Sequence, residues 1–240
     1  LLVPANTVVQ LEVRHLDPDT LAEIDKLKAD DIQILSFSHS QLEDKDLDHI
    51  ARMTGVVELV LSDTEVSDEG LKKLKPLKNL AKLEMKEINL TSKGLKELAA
   101  LPNLEQLVIN NARLDASAGD YLAQCKRLIA LNLSQCRLKN TELDQIIQKL
   151  PKMKVLKLDY LRVSDQGLQH IETMKDLLIL FITGSKVTDA IIPRLVKMKK
   201  LRELSITSSE LNPRKLAAFK KALPNVAIES EEDEAPKIHE

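Results

Sequence analysis

Apolar residues return along this chain with one fixed period. A leucine at the centre of an alternating apolar and polar stretch falls at Leu11, Leu35, Leu59, Leu83, Leu107, Leu131, Leu156, Leu180 and Leu204. Successive members stand 24 residues apart, with a single spacing of 25 between Leu131 and Leu156. A period of this length marks stacked supersecondary units. The other apolar columns repeat as well. They are Val56, Leu59, Leu61, Val66, Leu71, Leu74 and Leu77 in the third unit, and Met153, Leu156, Leu158, Val163, Leu168, Ile171 and Met174 in the seventh. The first part of each unit alternates with period two and predicts a short strand. The later part places apolar residues along one face of a short helix, about two turns long. All five methionines (Met53, Met85, Met153, Met174 and Met198) occupy these columns and are assigned to the core.

Polar residues punctuate the same period. Six residues after the last strand position stand Ser67, Thr91, Asp115, Ser164, Thr188 and Asn212. Their side chains can accept hydrogen bonds from the free N–H groups that open a helix. Asp17-Pro18 and Asn212-Pro213 add proline at the first helical position, where its missing N–H costs nothing.

The segment LVLSDTEVSDEGLKKLKPLKNL resembles a leucine-rich repeat of the 24-residue bacterial kind, and the resemblance covers roughly residues 8–228. The family places Asn in the column after the strand. Here that column reads Ser40, Thr64, Ile88, Ala112, Cys136, Leu161, Ser185 and Ser209. The Ser, Thr and Cys members are similar to the cysteine-containing and internalin-related subclasses, while Ile88, Ala112 and Leu161 depart from the pattern. The resemblance implies an α/β leucine-rich-repeat solenoid, a horseshoe with a parallel concave sheet and short convex helices. One repeat domain is expected over 1–228, with nine full repeats and a partial tenth at Val226 and Ile228, followed by an acidic disordered tail over 229–240. Residues 1–7 are expected to cover the first unit.

Repeat units bury their apolar columns by stacking on one another, and such folds bind along the outward strand positions. One outward column reads Glu12, Ser36, Val60, Glu84, Val108, Asn132, Lys157, Phe181 and Ser205; the next includes Asn110, Ser134, Asp159 and Thr183. A third contains Ala130, Val155 and Ile179. Units three and four are charged, whereas units five to eight gather apolar residues, with Tyr160 at a strand end. An aromatic centre inside a polar rim is the composition of an interface. The expected partner-binding residues are Val108, Asn110, Asn132, Val155, Lys157, Asp159, Tyr160, Ile179, Phe181 and Thr183. Ser134 is expected to face water.

Composition narrows the function. Aromatics make up only 2% of the chain, so the core must be built from aliphatic side chains. Net charge is −2, far from the balance of a nucleic-acid-binding domain. Residues 229–240 hold six acids and one base, a local charge of −5, which leaves the rest of the chain at +3. No apolar stretch is long enough to span a membrane. The chain begins at Leu1 rather than Met, so the start of a longer precursor is expected to be missing, and either a cytoplasmic or an exported location fits.

Candidate chemistry is sparse. His15 and His39 share a column that continues as Asp63 and Glu87, a potential but weak metal-ligand arrangement. His49 and His170 share a convex column. Cys125 falls in a core column and Cys136 in the turn column, and no disulfide is expected between them. There is no phosphate-binding glycine loop, HExxH or nucleophile elbow. The expectation is a non-catalytic scaffold, without cofactor or metal, that binds a protein through its concave face as a monomer. The alternative is a carbohydrate- or cell-envelope-binding module built around Asn110, Asn132, Tyr160 and Phe181.

Overall fold

The computed structural model describes residues 8–207 and 209–229, with the backbone alone at 213 and 216. The expected cover at 1–7 and the expected tail from 230 onward lie outside the described residues. Glu229, placed in that tail by its charge, instead ends a strand, where its carbonyl accepts the N–H of Ile206 at 3.0 Å.

The chain divides into two compact units. The first runs through Ala112 and takes in Tyr121–Leu128; the second comprises Arg113–Asp120 and the chain from Ile129 onward. In the first unit the strands β1 (Gln10–Glu12), β2 (Ile34–Ser36), β3 (Glu58–Val60), β4 (Lys82–Lys86) and β5 (Gln106–Asn110) pair in chain order, all parallel. In the second, β6 (Ala130–Asn132), β7 (Val155–Lys157), β8 (Ile179–Phe181), β9 (Glu203–Ser205) and β10 (Ala227–Glu229) do the same.

The register sets leucine on leucine. Leu35 pairs with Leu59 and Leu59 with Leu83, while Leu131 pairs with Leu156 and Leu156 with Leu180. Eight of the nine periodic leucines are at most 1% exposed, and all five methionines are buried. Leu11 is the exception, only half-buried, because no described strand precedes β1.

Most convex segments differ from the expected two-turn helices. The helix α1 (Pro18–Asp25) has the expected two turns, while α6 (Asn140–Lys149) and α8 (Pro213–Ala222) are longer. In α2 (Leu47–Ile50), α3 (Asp68–Leu71), α4 (Ser92–Leu95) and α7 (Ile192–Leu195) a single α turn joins 3-10 turns, and α5 (Ser117–Leu122) is intermediate. Where 3-10 turns occur, their tighter winding closes the convex side with fewer residues. The 25-residue coil has its long helix in α6.

The caps are mostly as the sequence suggests. Asp17, Ser67, Thr91, Asp115, Thr188 and Asn212 each accept a backbone N–H at a helix start. Ser164 does not cap. Its hydroxyl accepts from Asn140 Nδ2 at 3.0 Å, and its N–H donates to Asn140 Oδ1 at 2.8 Å.

That exchange belongs to a ladder the repeat pattern did not disclose. The residue after each cap position reaches forward to the cap of the next coil. Asp44 accepts the N–H and hydroxyl of Ser67 at 2.8 and 2.6 Å. Asp68 does the same for Thr91, and Asp165 for Thr188. Asp189 accepts the N–H of Asn212 at 2.9 Å. Gly70, Gly94 and Gly167 leave room for it: a Cβ on Gly70 would stand 2.2 Å from Asp44 Oδ1, and one on Gly94 2.4 Å from Asp68 Oδ1.

In the turn column, Ser40, Thr64, Ser185 and Ser209 donate their hydroxyls to the carbonyl three residues back, at 2.7 to 2.8 Å. Each bond closes its own coil. Ile88, Ala112 and Leu161 replace it with buried apolar packing.

Candidate functional site

The outward face of β6 to β9 is built by alternation: Leu131, Leu156, Leu180 and Leu204 point inward, so their strand neighbours point out. Parallel pairing then sets Val155 beside Ile179 and Lys157 beside Phe181. All four side chains are half-buried. The Lys157 ammonium lies over the Phe181 ring, 4.5 Å from its centroid, a cation–π geometry that covers one ring face. Asn132 precedes them on β6, with its Oδ1 accepting the N–H of Ser134 at 2.8 Å.

The polar border of this patch is committed internally. Ser134, expected to face water, is only 6% exposed. Its hydroxyl accepts the N–H of Asp159 at 3.1 Å. Asp159 Oδ1 in turn accepts the N–H of Thr183 at 2.9 Å, and the Thr183 hydroxyl lies 3.0 Å from that of Ser205. Parallel strands about 4.8 Å apart bring short polar side chains on equivalent positions into mutual reach. Ser134, Asp159 and Thr183 are therefore a rigid hydrogen-bonded frame rather than a loose hydrophilic rim.

Tyr160 stands apart from this frame. It occupies the left-handed region at φ 57°, in a column that continues as Gly184 at φ 66° in the same unit and as His39, Asp63, Glu87 and Asn111 in the first unit. Its ring lies against Gly184, where an added Cβ would meet Cδ1 at 2.6 Å. It is 60% exposed and lines a groove with Arg113, Arg137 and Arg162 rather than stacking on Phe181.

Val108 and Asn110 lie on β5 of the first unit, both half-buried, and Asn110 Oδ1 is buried without a hydrogen-bond partner. The charges of units three and four pair locally: Lys82 with Glu58 at 2.6 Å and Lys86 with Glu84 at 2.7 Å.

The described histidines lie beside carboxylates. His39 Nδ1 lies 2.8 Å from Asp63 Oδ2 and both are exposed. Among the described residues no group of three or more His, Cys, Asp or Glu could hold a metal ion. On the convex side His49 pairs with Asp25 at 2.9 Å, and His170 with Asp144 at 2.7 Å. Both cysteines are buried and outside any disulfide, and burial pushes the Cys125 thiol up to about 11. A thiol so placed stays protonated at neutral pH and is a poor nucleophile. No described helix is long and apolar enough to cross a membrane.

No protein-family model matches the sequence, and no curated protein matches it. Solved structures do. An internalin (inlF) from Listeria monocytogenes aligns with 92% of this chain at a TM-score of 0.64 and 18% identity. The chain spans 65% of that protein's length. Internalin C2 (inlC2) from the same organism aligns with 88% of this chain and 83% of its own, at a TM-score of 0.55 and again 18% identity. Together with the strand register and the leucine columns, these likenesses establish the fold: the chain is built as an α/β leucine-rich-repeat solenoid.

Proposed function

We propose that this chain is a non-catalytic recognition scaffold that binds a protein partner through the outward strand face of its second unit. The observation that carries the proposal is the apolar cluster of Val155, Ile179 and Phe181, held by Lys157 and framed by Asn132, Asp159 and Thr183. Aromatic and aliphatic side chains on this face contribute little to the core, which the inward leucines fill without them. An apolar centre whose polar border is already satisfied presents little desolvation cost to a partner. The fixed positions of Phe181 and Lys157 also reduce the side-chain entropy lost on binding.

A protein fits this surface better than a carbohydrate does. Sugar recognition built on Tyr160 and Phe181 needs a shared stacking platform. Here Tyr160 lines a separate groove and the Phe181 ring is partly covered by Lys157. Likeness in fold to the internalins supports a binding role in general terms.

Parallel affinity captures with the parent chain, Phe181→Ala and His170→Ala test the proposal. A protein partner retained by the parent and by the convex-side variant, but weakened by more than about 1 kcal/mol in Phe181→Ala, supports it. Equal retention by Phe181→Ala, or loss with His170→Ala, contradicts it.

A further inference from the structure

The second unit carries a stripe of like charge outside the strand face. Arg113, Arg137, Arg162 and Lys186 occupy one column on four consecutive coils, and all four are exposed. A parallel backbone bridge joins Arg113 to Arg137, so these two stand about 4.8 Å apart, while Lys186 is bridged to Ser164, two residues beyond Arg162. Among the described residues none of the four side chains makes an ion pair or a hydrogen bond. Some cations elsewhere in this unit are matched with acids on the neighbouring coil, as Lys149 is with Asp120 at 2.7 Å and Lys200 with Asp176 at 2.6 Å. Like charges side by side on adjacent strands oppose folding. Stability therefore gives no reason for this column.

The stripe borders a groove of ≈ 830 Å³. Arg113, Arg137 and Arg162 line it, Leu114 and Leu138 contribute apolar surface, and Tyr160 stands exposed beside them. Its one carboxylate, Glu142, is already held by the N–H of Lys139 at 2.8 Å and faces Lys139 Nζ at 3.6 Å. The three guanidinium groups remain uncompensated.

We propose that this groove docks an acidic peptide segment of a protein partner, with its carboxylates on Arg113, Arg137 and Arg162. Guanidinium forks pair with carboxylates in bidentate fashion, and Tyr160 offers an aromatic face to an apolar neighbour in the segment. The stripe is short. From Arg113 to Lys186 it covers three coil spacings, about 14 Å, the length of four or five extended residues. In the next coil the column turns acidic at Glu210. A nucleic acid strand, charged at every step, would run from the stripe onto that acid, whereas a short acidic segment ends within it. This site is separate from the Phe181 surface and stands independently of it.

The test is fluorescence anisotropy with a fluorescein-labelled hexaglutamate peptide, on the whole chain at low ionic strength. The parent is expected to bind, and Arg113→Gln/Arg137→Gln/Arg162→Gln to weaken binding by about tenfold or more. Removing three exposed lysines outside the groove, Lys152→Gln/Lys175→Gln/Lys199→Gln, is expected to change it by less than about twofold, because screened distant charges contribute little. Phe181→Ala is expected to leave this binding unchanged. Circular dichroism and the unfolding midpoint confirm that the arginine variant is folded, as substitution of exposed side chains should permit. The proposal is overturned if the parent does not bind, if both triple variants lose affinity equally, or if a thymidine oligonucleotide of equal charge binds the parent more tightly than the peptide.

Discussion

Gly70→Ala separates local propensity from packing between coils, because the two predict opposite signs. Gly70 lies inside helix α3 and its backbone is helical. By propensity alone, alanine should stabilise it by roughly 0.5–1 kcal/mol. The structure argues otherwise. The new Cβ would stand 2.2 Å from Asp44 Oδ1 and 2.8 Å from Leu47 Cδ1, distances that force a shift. Asp44 can yield only by giving up the N–H and hydroxyl of Ser67. Leaving such groups unsatisfied costs about 1–3 kcal/mol, and crowding the buried Leu47 adds to it. The net expectation is a loss of about 1–2 kcal/mol, read as a lower urea midpoint with an unchanged slope. In an Asp44→Ala background the carboxylate is gone, so Gly70→Ala should cost markedly less there, retaining only the Leu47 contact. A higher midpoint for Gly70→Ala alone would refute the aspartate ladder as a source of stability.

Three further outcomes follow from the same geometry. Leu156→Ala, flanked in register by Leu131 and Leu180, should cost about 2–5 kcal/mol in chemical denaturation, because the stacked coils cannot collapse into the cavity. Ser134→Ala should cost about 1 kcal/mol by the same assay, since it strips the N–H of Asp159 of its acceptor; a change below the error would mean that Ser134 faces water after all. The backbone N–H of Asn212, and then Lys215, hold the Asp189 carboxyl below its ordinary value. Its contribution is therefore complete above the unfolded carboxyl's range and is lost as pH falls below about 4. Unfolding midpoints in acid should consequently fall less steeply for Asp189→Asn than for the parent.

The period of 24 was legible because every coil repeats the same inward columns, and an error of one residue would turn a strand's apolar set outward. Eight periodic leucines and all five methionines lie where those columns put them. What the period could not show is how one coil touches the next. Asp44, Asp68, Asp165 and Asp189 look in the sequence like ordinary helix-opening acids, yet each bonds the cap of the following coil. Ser134 was misread for a related reason. Alternation correctly put it on the outward face, but outward is not the same as solvated when Asp159 stands one strand away. Convex helix length was also hidden, since apolar spacing near three fits a 3-10 turn as well as an α turn. The basic column of Arg113, Arg137, Arg162 and Lys186 was present in the sequence at the repeat spacing, but only the unpaired side chains single it out. For the strand face, the sequence carried the residues while the structure supplied their relation: Lys157 over Phe181, with Tyr160 in a different groove.

Site-specific photo-crosslinking tests most directly whether the strand face of the second unit is the working surface. A benzophenone amino acid is placed at Phe181, or in parallel at the convex His170, and each chain is irradiated with the captured partner. The account predicts a covalent adduct from position 181 and none from position 170, with the Phe181 adduct competed away by unlabelled parent chain. An adduct from position 170 alone would place the partner on the convex side and contradict the assignment.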